Sequence, residues 1–138
     1  MKVCAEEENR YYFSAAKCAQ TAVLITGGMI KSAGYFGLWS ATNSVKMFDL
    51  NAQEWSDSVA MNQARYNHSS CFMGNSRLFV FGGLANSRKF LDSIEFMEVM
   101  NQKPWLLLRL KEFGHRAFPA VIALNDTKIA ILGGLCQT

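Results

Sequence analysis

Three short apolar runs punctuate the chain: Ala22-Val23-Leu24-Ile25-Thr26, Leu78-Phe79-Val80-Phe81 and Ile129-Ala130-Ile131-Leu132. Each is bounded by turn-forming residues and is shorter than an ordinary helix, the pattern of a strand covered on both faces. Met-Gly-Asn-Ser at 73–76 and Leu-Asn-Asp-Thr at 124–127 precede the second and third runs and read as turns from an earlier strand. Ser44-Val45-Lys46-Met47-Phe48-Asp49 begins with polar and apolar residues in alternation, which suits a half-buried strand. Amphipathic helical spacing is nowhere sustained for about a dozen residues, so the pattern predicts an all-β chain with helix at most a minor element. None of the runs is long enough to cross a bilayer as a helix.

The runs repeat. Each closes on a glycine pair, Gly27-Gly28, Gly82-Gly83 or Gly133-Gly134, at separations of 55 and 51 residues. Seventeen residues before the first glycine of each pair stands an arginine: Arg10, Arg65 and Arg116. Asn43-Ser44-Val45-Lys46-Met47-Phe48-Asp49 aligns with Asp92-Ser93-Ile94-Glu95-Phe96-Met97-Glu98, and each is followed by a tryptophan, Trp55 or Trp105. One unit is therefore expected to hold an Arg-led strand, an apolar strand ending in Gly-Gly, an alternating strand and a Trp-led strand.

These residues resemble the kelch motif: Gly-Gly after the second strand, an aromatic-acidic step (Phe48-Asp49, weaker at Met97-Glu98), and a tryptophan opening the fourth strand. Residues 61–69 also look like that family's connection between blades. The resemblance implies an all-β fold, an incomplete kelch β-propeller with two four-stranded antiparallel blades plus the first two strands of a third. The divisions are a tail at 1–9, blade 1 at 10–64, blade 2 at 65–115 and a partial blade 3 at 116–138. Unit one departs by carrying Tyr12-Phe13 where unit two has Asn67-His68, and by a longer segment after its glycines. The family pattern further implies that Trp55 covers Gly27-Gly28 and Trp105 covers Gly82-Gly83. It also implies that the arginines make structural hydrogen bonds between blades.

A kelch array of this kind is expected to be a non-catalytic protein–protein interaction module, an adaptor or scaffold, and a fragment of a larger propeller. The loop at 29–42 holds Tyr35, Phe36 and Trp39 next to Gly34 and Gly37, a candidate partner surface because Tyr and Trp bury large area at low entropic cost. Tyr12 and Asn67, two residues after unit-leading arginines, are expected on the same face, and Arg88 with Lys89 offers charge to an acidic partner peptide. An uncovered edge strand at 129–132 adds the expectation of self-association.

Composition narrows the alternatives. Net charge is +3 and the basic residues are scattered, with Arg88-Lys89 the one adjacent pair, so no basic stripe for nucleic acid is present. Residues 1–10 carry an acidic cluster where a secretory signal would need an apolar core, and the four cysteines lack Cys-x-x-Cys spacing; a reduced, cytoplasmic chain is expected. Some kelch-fold proteins are enzymes, including copper oxidases and sugar-isomerising proteins. Copper would need clustered His and Tyr ligands, whereas His68 and His115 each sit beside a unit-leading arginine. No Gly-x-Ser-x-Gly, phosphate loop or paired-carboxylate constellation appears. No cofactor is therefore expected. The remaining alternative is that these are blades of a kelch-fold enzyme whose active site lies outside the chain.

Overall fold

The computed structural model describes residues 9–18, 21–31, 37–74 and 76–137. Unit one holds β1 (Arg10–Tyr11), β2 (Ser14–Cys18), β3 (Ala22–Thr26), β4 (Met29–Lys31), β5 (Trp39–Ala41), β6 (Val45–Asp49) and β7 (Glu54–Ser58). Unit two holds β8 (Ser69–Met73), β9 (Arg77–Phe81), β10 (Ser93–Glu98) and β11 (Leu106–Arg109). Unit three holds β12 (Arg116–Ala117), β13 (Ala120–Asn125), β14 (Lys128–Leu132) and β15 (Leu135–Cys136). A single 3₁₀ turn at Val99–Asn101 is the helical structure among the described residues, and no helix is long and apolar enough to cross a membrane.

The strands form two four-stranded antiparallel sheets, β2-β3-β6-β7 and β8-β9-β10-β11, and a hairpin, β13-β14. Each apolar run is the second strand of its sheet, and both faces of β9 are covered. Leu78 and Val80 join Cys18, Ala22, Leu24, Val45, Met61, Met97 and Trp105 in a core between the first two sheets. Phe79 and Phe81 join Ile94 and Phe113 in a second core, against which Val121, Ile129 and Ile131 of the hairpin pack. This is why β9 shows no polar alternation: its two sets of side chains each meet a neighbouring sheet. First strands lie next to one another, β2 beside β8 and β8 beside β13. The Ser14 and Ser70 hydroxyls meet at 2.7 Å, and the Ser69 hydroxyl donates to the Pro119 carbonyl.

The 17-residue spacing has a direct physical cause. Arg10, Arg65 and Arg116 each donate from Nη1 to the carbonyl of the first glycine in their own unit, Gly27, Gly82 and Gly133, at 2.8, 2.7 and 2.6 Å. Beside that bond within the unit, Arg65 Nη2 donates to Gln63 Oε1 and Arg116 Nε to the Phe113 carbonyl, each in the preceding unit and each at 3.4 Å. Main chain also links the units: Gly28 N–H donates to the Arg65 carbonyl and Gly83 N–H to the Arg116 carbonyl, both at 2.8 Å. A second ladder runs from Phe118 N–H to Asn67 carbonyl and from Asn67 N–H to Tyr12 carbonyl. All three residues on it have left-handed backbone, with φ of 55°, 53° and 57°.

Two expectations are corrected. The arginines do not lead the first strand of each sheet: β1 and β12 are separate two-residue strands paired with β4 and β15, and the sheets proper begin at Ser14, Ser69 and Ala120. Nor do the tryptophans cover the glycines. Trp55 pairs with Phe48, and Phe48 with Val23, at the end of the sheet away from Gly27. Trp105 occupies the corresponding place, buried between the first two sheets, with Nε1 donating to the Val59 carbonyl at 2.7 Å. The first glycine of each pair is instead covered by the main-chain carbonyl of the next unit, Arg65 against Gly27 and Arg116 against Gly82, together with His68 and Met61 at Gly27 and Phe113 at Gly82.

His68 is wedged into this junction, with Nε2 2.8 Å from Thr26 Oγ1 and a buried Nδ1 that has no partner. Burial, reinforced by the Arg65 charge, pushes its imidazole down to about 3. Because the folded value lies below the unfolded one, the unfolded chain takes up the proton first as pH falls. Stability is therefore complete above the unfolded value and is lost progressively towards the folded one, by about 2 kcal/mol at pH 5 relative to pH 7. Urea denaturation across that range checks this: His68→Gln should flatten the pH slope, and an unchanged slope would refute the assignment.

Candidate functional site

The segments after the glycines and after the arginines meet on one face. There β1, β4 and β5 form a three-stranded sheet in the order β1-β4-β5, with Tyr11 opposite Met29, Met29 opposite Ala41, and Lys31 opposite Trp39. Directly paired residues share a face of a sheet, so Tyr11, Met29, Lys31 and Trp39 stand together on one side of it. Tyr11 and Trp39 touch edge to face with ring centroids 4.7 Å apart. A groove lined by Tyr11, Tyr12, Met29 and Trp39 opens between them. The aromatic contact continues through Tyr12 to Tyr66, with centroids 6.4 Å apart. Tyr66 in turn exchanges backbone hydrogen bonds with Leu84.

Tyr11 is 53% exposed, Tyr12 62% and Trp39 40%, which leaves three large rings in water. Paired strands and hydrogen bonds fix the backbone beneath them, so little further ordering is needed to present them to a partner. Tyr12 is held at φ 57°, a conformation that disfavours a bulky side chain.

The loop of unit two reaches the same platform. Asn86 Oδ1 accepts from Ala41 N–H at 2.6 Å, and the turn beyond it is closed by Arg88 N–H donating to the Ala85 carbonyl and Ala85 N–H to Lys89. Arg88 itself has φ 60° and is exposed. Among the described residues of these segments, 10–13, 29–31, 37–41, 65–68, 84–90 and 116–119, there is no Asp or Glu, while Lys31, Arg88 and Lys89 are present. The face is aromatic with a basic border.

Of the residues singled out in the sequence, Tyr12 and Trp39 are brought together, and Arg88 lies on the adjoining loop. Asn67 contributes main chain, as the middle of the ladder between Tyr12 and Phe118. Tyr35 and Phe36 lie outside the described residues. Trp39 packs on Tyr11 of its own unit. Two residues were missed. Tyr11 is the hub of the cluster, and Phe118, 51% exposed, stands two residues after Arg116 as Tyr12 and Asn67 stand after theirs. The shared offset from the arginine was the signal for Phe118. Only strand pairing reveals Tyr11.

No family model matches the chain. Among curated proteins it is similar to Dynein regulatory complex subunit 7 of Chlamydomonas reinhardtii, 33% identical over 81 residues. The match takes in 56% of this chain and 7% of that protein's length.

Proposed function

We propose that the chain is a non-catalytic kelch-type interaction module, its units being blades of a β-propeller and its aromatic face the surface that meets a protein partner. The observation that carries the functional reading is the continuous row Trp39, Tyr11, Tyr12 and Tyr66, three of whose rings are exposed on a backbone held by strand pairing. Aromatic side chains of this kind are the usual anchors of protein interfaces. The blade reading is supported by the recurrence of the arginine–glycine bond in all three units and by first strands lying side by side. The basic border of Lys31, Arg88 and Lys89 favours a partner segment carrying carboxylates. A binding role also accords with a relative that is, by its name, a subunit of a complex.

The expected result is that proteins recovered by the immobilised chain are lost with Tyr12→Ser and Trp39→Ser but retained with Asp57→Ser on the outer strand β7. Tyr12→Ser, at a residue 62% exposed, should keep its unfolding midpoint, and Trp39→Ser, which loses the contact with Tyr11, should stay folded with a small drop, both checked by circular dichroism. Unchanged recovery with both aromatics removed would sink the assignment of this face.

A further inference from the structure

The groove between Tyr11, Tyr12, Met29 and Trp39 has a volume of about 490 Å³. Its walls are rings set at an angle to one another, Tyr11 against Trp39 at 66° and Tyr11 against Tyr12 at 51°. The polar ends of these rings are unused: neither tyrosine hydroxyl nor the Trp39 indole N–H has a hydrogen-bond partner among the described residues. Such a surface takes apolar rings flat against its walls and offers donors to carbonyl groups that lack partners of their own.

The surroundings separate the kinds of segment that could lie there. An added β-strand needs a free row of main-chain groups. Beside β5, however, Ala41 N–H is taken by Asn86 Oδ1 at 2.6 Å, and beside β1 the Tyr12 carbonyl is taken by Asn67 N–H at 3.0 Å, so unit two interrupts both edges. A cation caged by the rings would meet Lys31, Arg88 and Lys89, with no carboxylate among the described residues of the face to offset them. A polyproline II segment meets neither obstacle. It has no internal hydrogen bonds, so its carbonyls are open to hydroxyl and indole donors, and its pyrrolidine rings pack on aromatic walls without strand pairing.

Charge decides what flanks the prolines. The Lys31 side chain lies over Gly37, where an added Cβ would collide with its Cε, and Arg88 stands exposed at φ 60° on the loop that Asn86 ties to unit one. An exposed arginine held in left-handed backbone is strained for a reason other than packing. The tie falls on Ala41, two strand residues or about 7 Å from Trp39. Two or three residues of polyproline II, at about 3.1 Å each, span that distance. We infer that the aromatic face takes a proline-rich segment in the polyproline II conformation, with prolines on Tyr11, Tyr12 and Trp39 and a carboxylate two or three residues away on the Arg88 loop. This names the partner of the face proposed above and rests on that reading.

The probe is a synthetic peptide of four Pro-Pro-Glu repeats, titrated calorimetrically into the whole chain. A peptide of Ala-Ala-Glu repeats keeps its charge and drops its rings, and one of Pro-Pro-Gln repeats does the reverse. Saturable 1:1 binding of the first is expected, weakened at least about tenfold in each comparator and abolished by Trp39→Ser. Arg88→Gly, which relieves the left-handed backbone, should raise the unfolding midpoint, weaken the Pro-Pro-Glu peptide and leave the Pro-Pro-Gln peptide unchanged. A residue with a merely structural role would not give that split. Absence of saturable binding, equal binding of the Ala-Ala-Glu peptide, or binding that survives Trp39→Ser overturns the inference. Tighter binding of Pro-Pro-Lys repeats would put a cation on the rings, and dimerisation without peptide that Trp39→Ser abolishes would give the groove to a second copy; either overturns it too. Loss of recovered proteins with Tyr12→Ser and Trp39→Ser would stand through any of these results, so the two readings fail separately.

Discussion

Gly82→Val should destabilise the chain by about 3–5 kcal/mol, the sum of a strained left-handed backbone and overpacking against atoms that cannot retreat. Gly82 has φ 58°, and an added Cβ would collide with the Arg116 carbonyl and come within 3.0 Å of Phe113 Cζ. The carbonyl is fixed because Gly83 N–H holds it at 2.8 Å, so relief would require breaking the bond between units. Gly133 supplies the comparison: it has φ 60° but nothing within 4 Å of the same Cβ position. Gly133→Val should therefore lose only the backbone part, about 1–2 kcal/mol. Urea denaturation of the two variants separates the terms, and equal losses would show that the next unit does not press on Gly82.

Glu95→Ala should cost about 3–5 kcal/mol, because it strands the buried Arg65 guanidinium. Glu95 is held from three sides: Arg65 at 2.7 Å, Asn62 N–H at 2.7 Å and Gln63 N–H at 2.9 Å. Desolvation alone pushes the Arg65 guanidinium below its ordinary value, and the Glu95 carboxylate opposes that. Two backbone donors in the link from unit one would also lose their acceptor, so the loss falls on the junction as well as on unit two. Given a total stability of about 5–15 kcal/mol for a domain, the variant should be partly unfolded at room temperature. Glu95→Gln should lose less, since its amide oxygen still accepts from Asn62 or Gln63. A loss below about 1 kcal/mol for the alanine variant, by denaturant midpoint, would mean that water reaches the pair.

The period and strand order were legible in the sequence because one hydrogen bond of fixed reach ties Arg10, Arg65 and Arg116 to their glycines, so spacing and geometry carry the same information. The apolar runs were legible as strands because neighbouring sheets cover both faces of β9 and leave no room for polar alternation. The cover of the glycine steps was not, since it comes from the main-chain carbonyl of the following unit, and a carbonyl leaves no mark in residue type. The tryptophans misled for a related reason: their recurrence fixes a position in the sheet but not the end of it at which they pack. Tyr12 and Trp39 could be picked out by type. Tyr11 could not, because its role follows from the pairing of a two-residue strand with β4.

The ladder through Tyr12, Asn67 and Phe118 is built wholly from peptide groups, and this has a consequence for how the outer surface can diverge. Peptide groups are indifferent to the side chain they carry, so two aromatic residues and an asparagine occupy one geometry while the framework stays constant. Left-handed backbone is tolerated best by asparagine and worst by bulky rings. Asparagine in place of Tyr12 or Phe118 should therefore raise stability slightly while stripping a ring from the face. The rings of Tyr12 and Phe118 therefore stand on the surface at a cost in backbone conformation that asparagine would not carry.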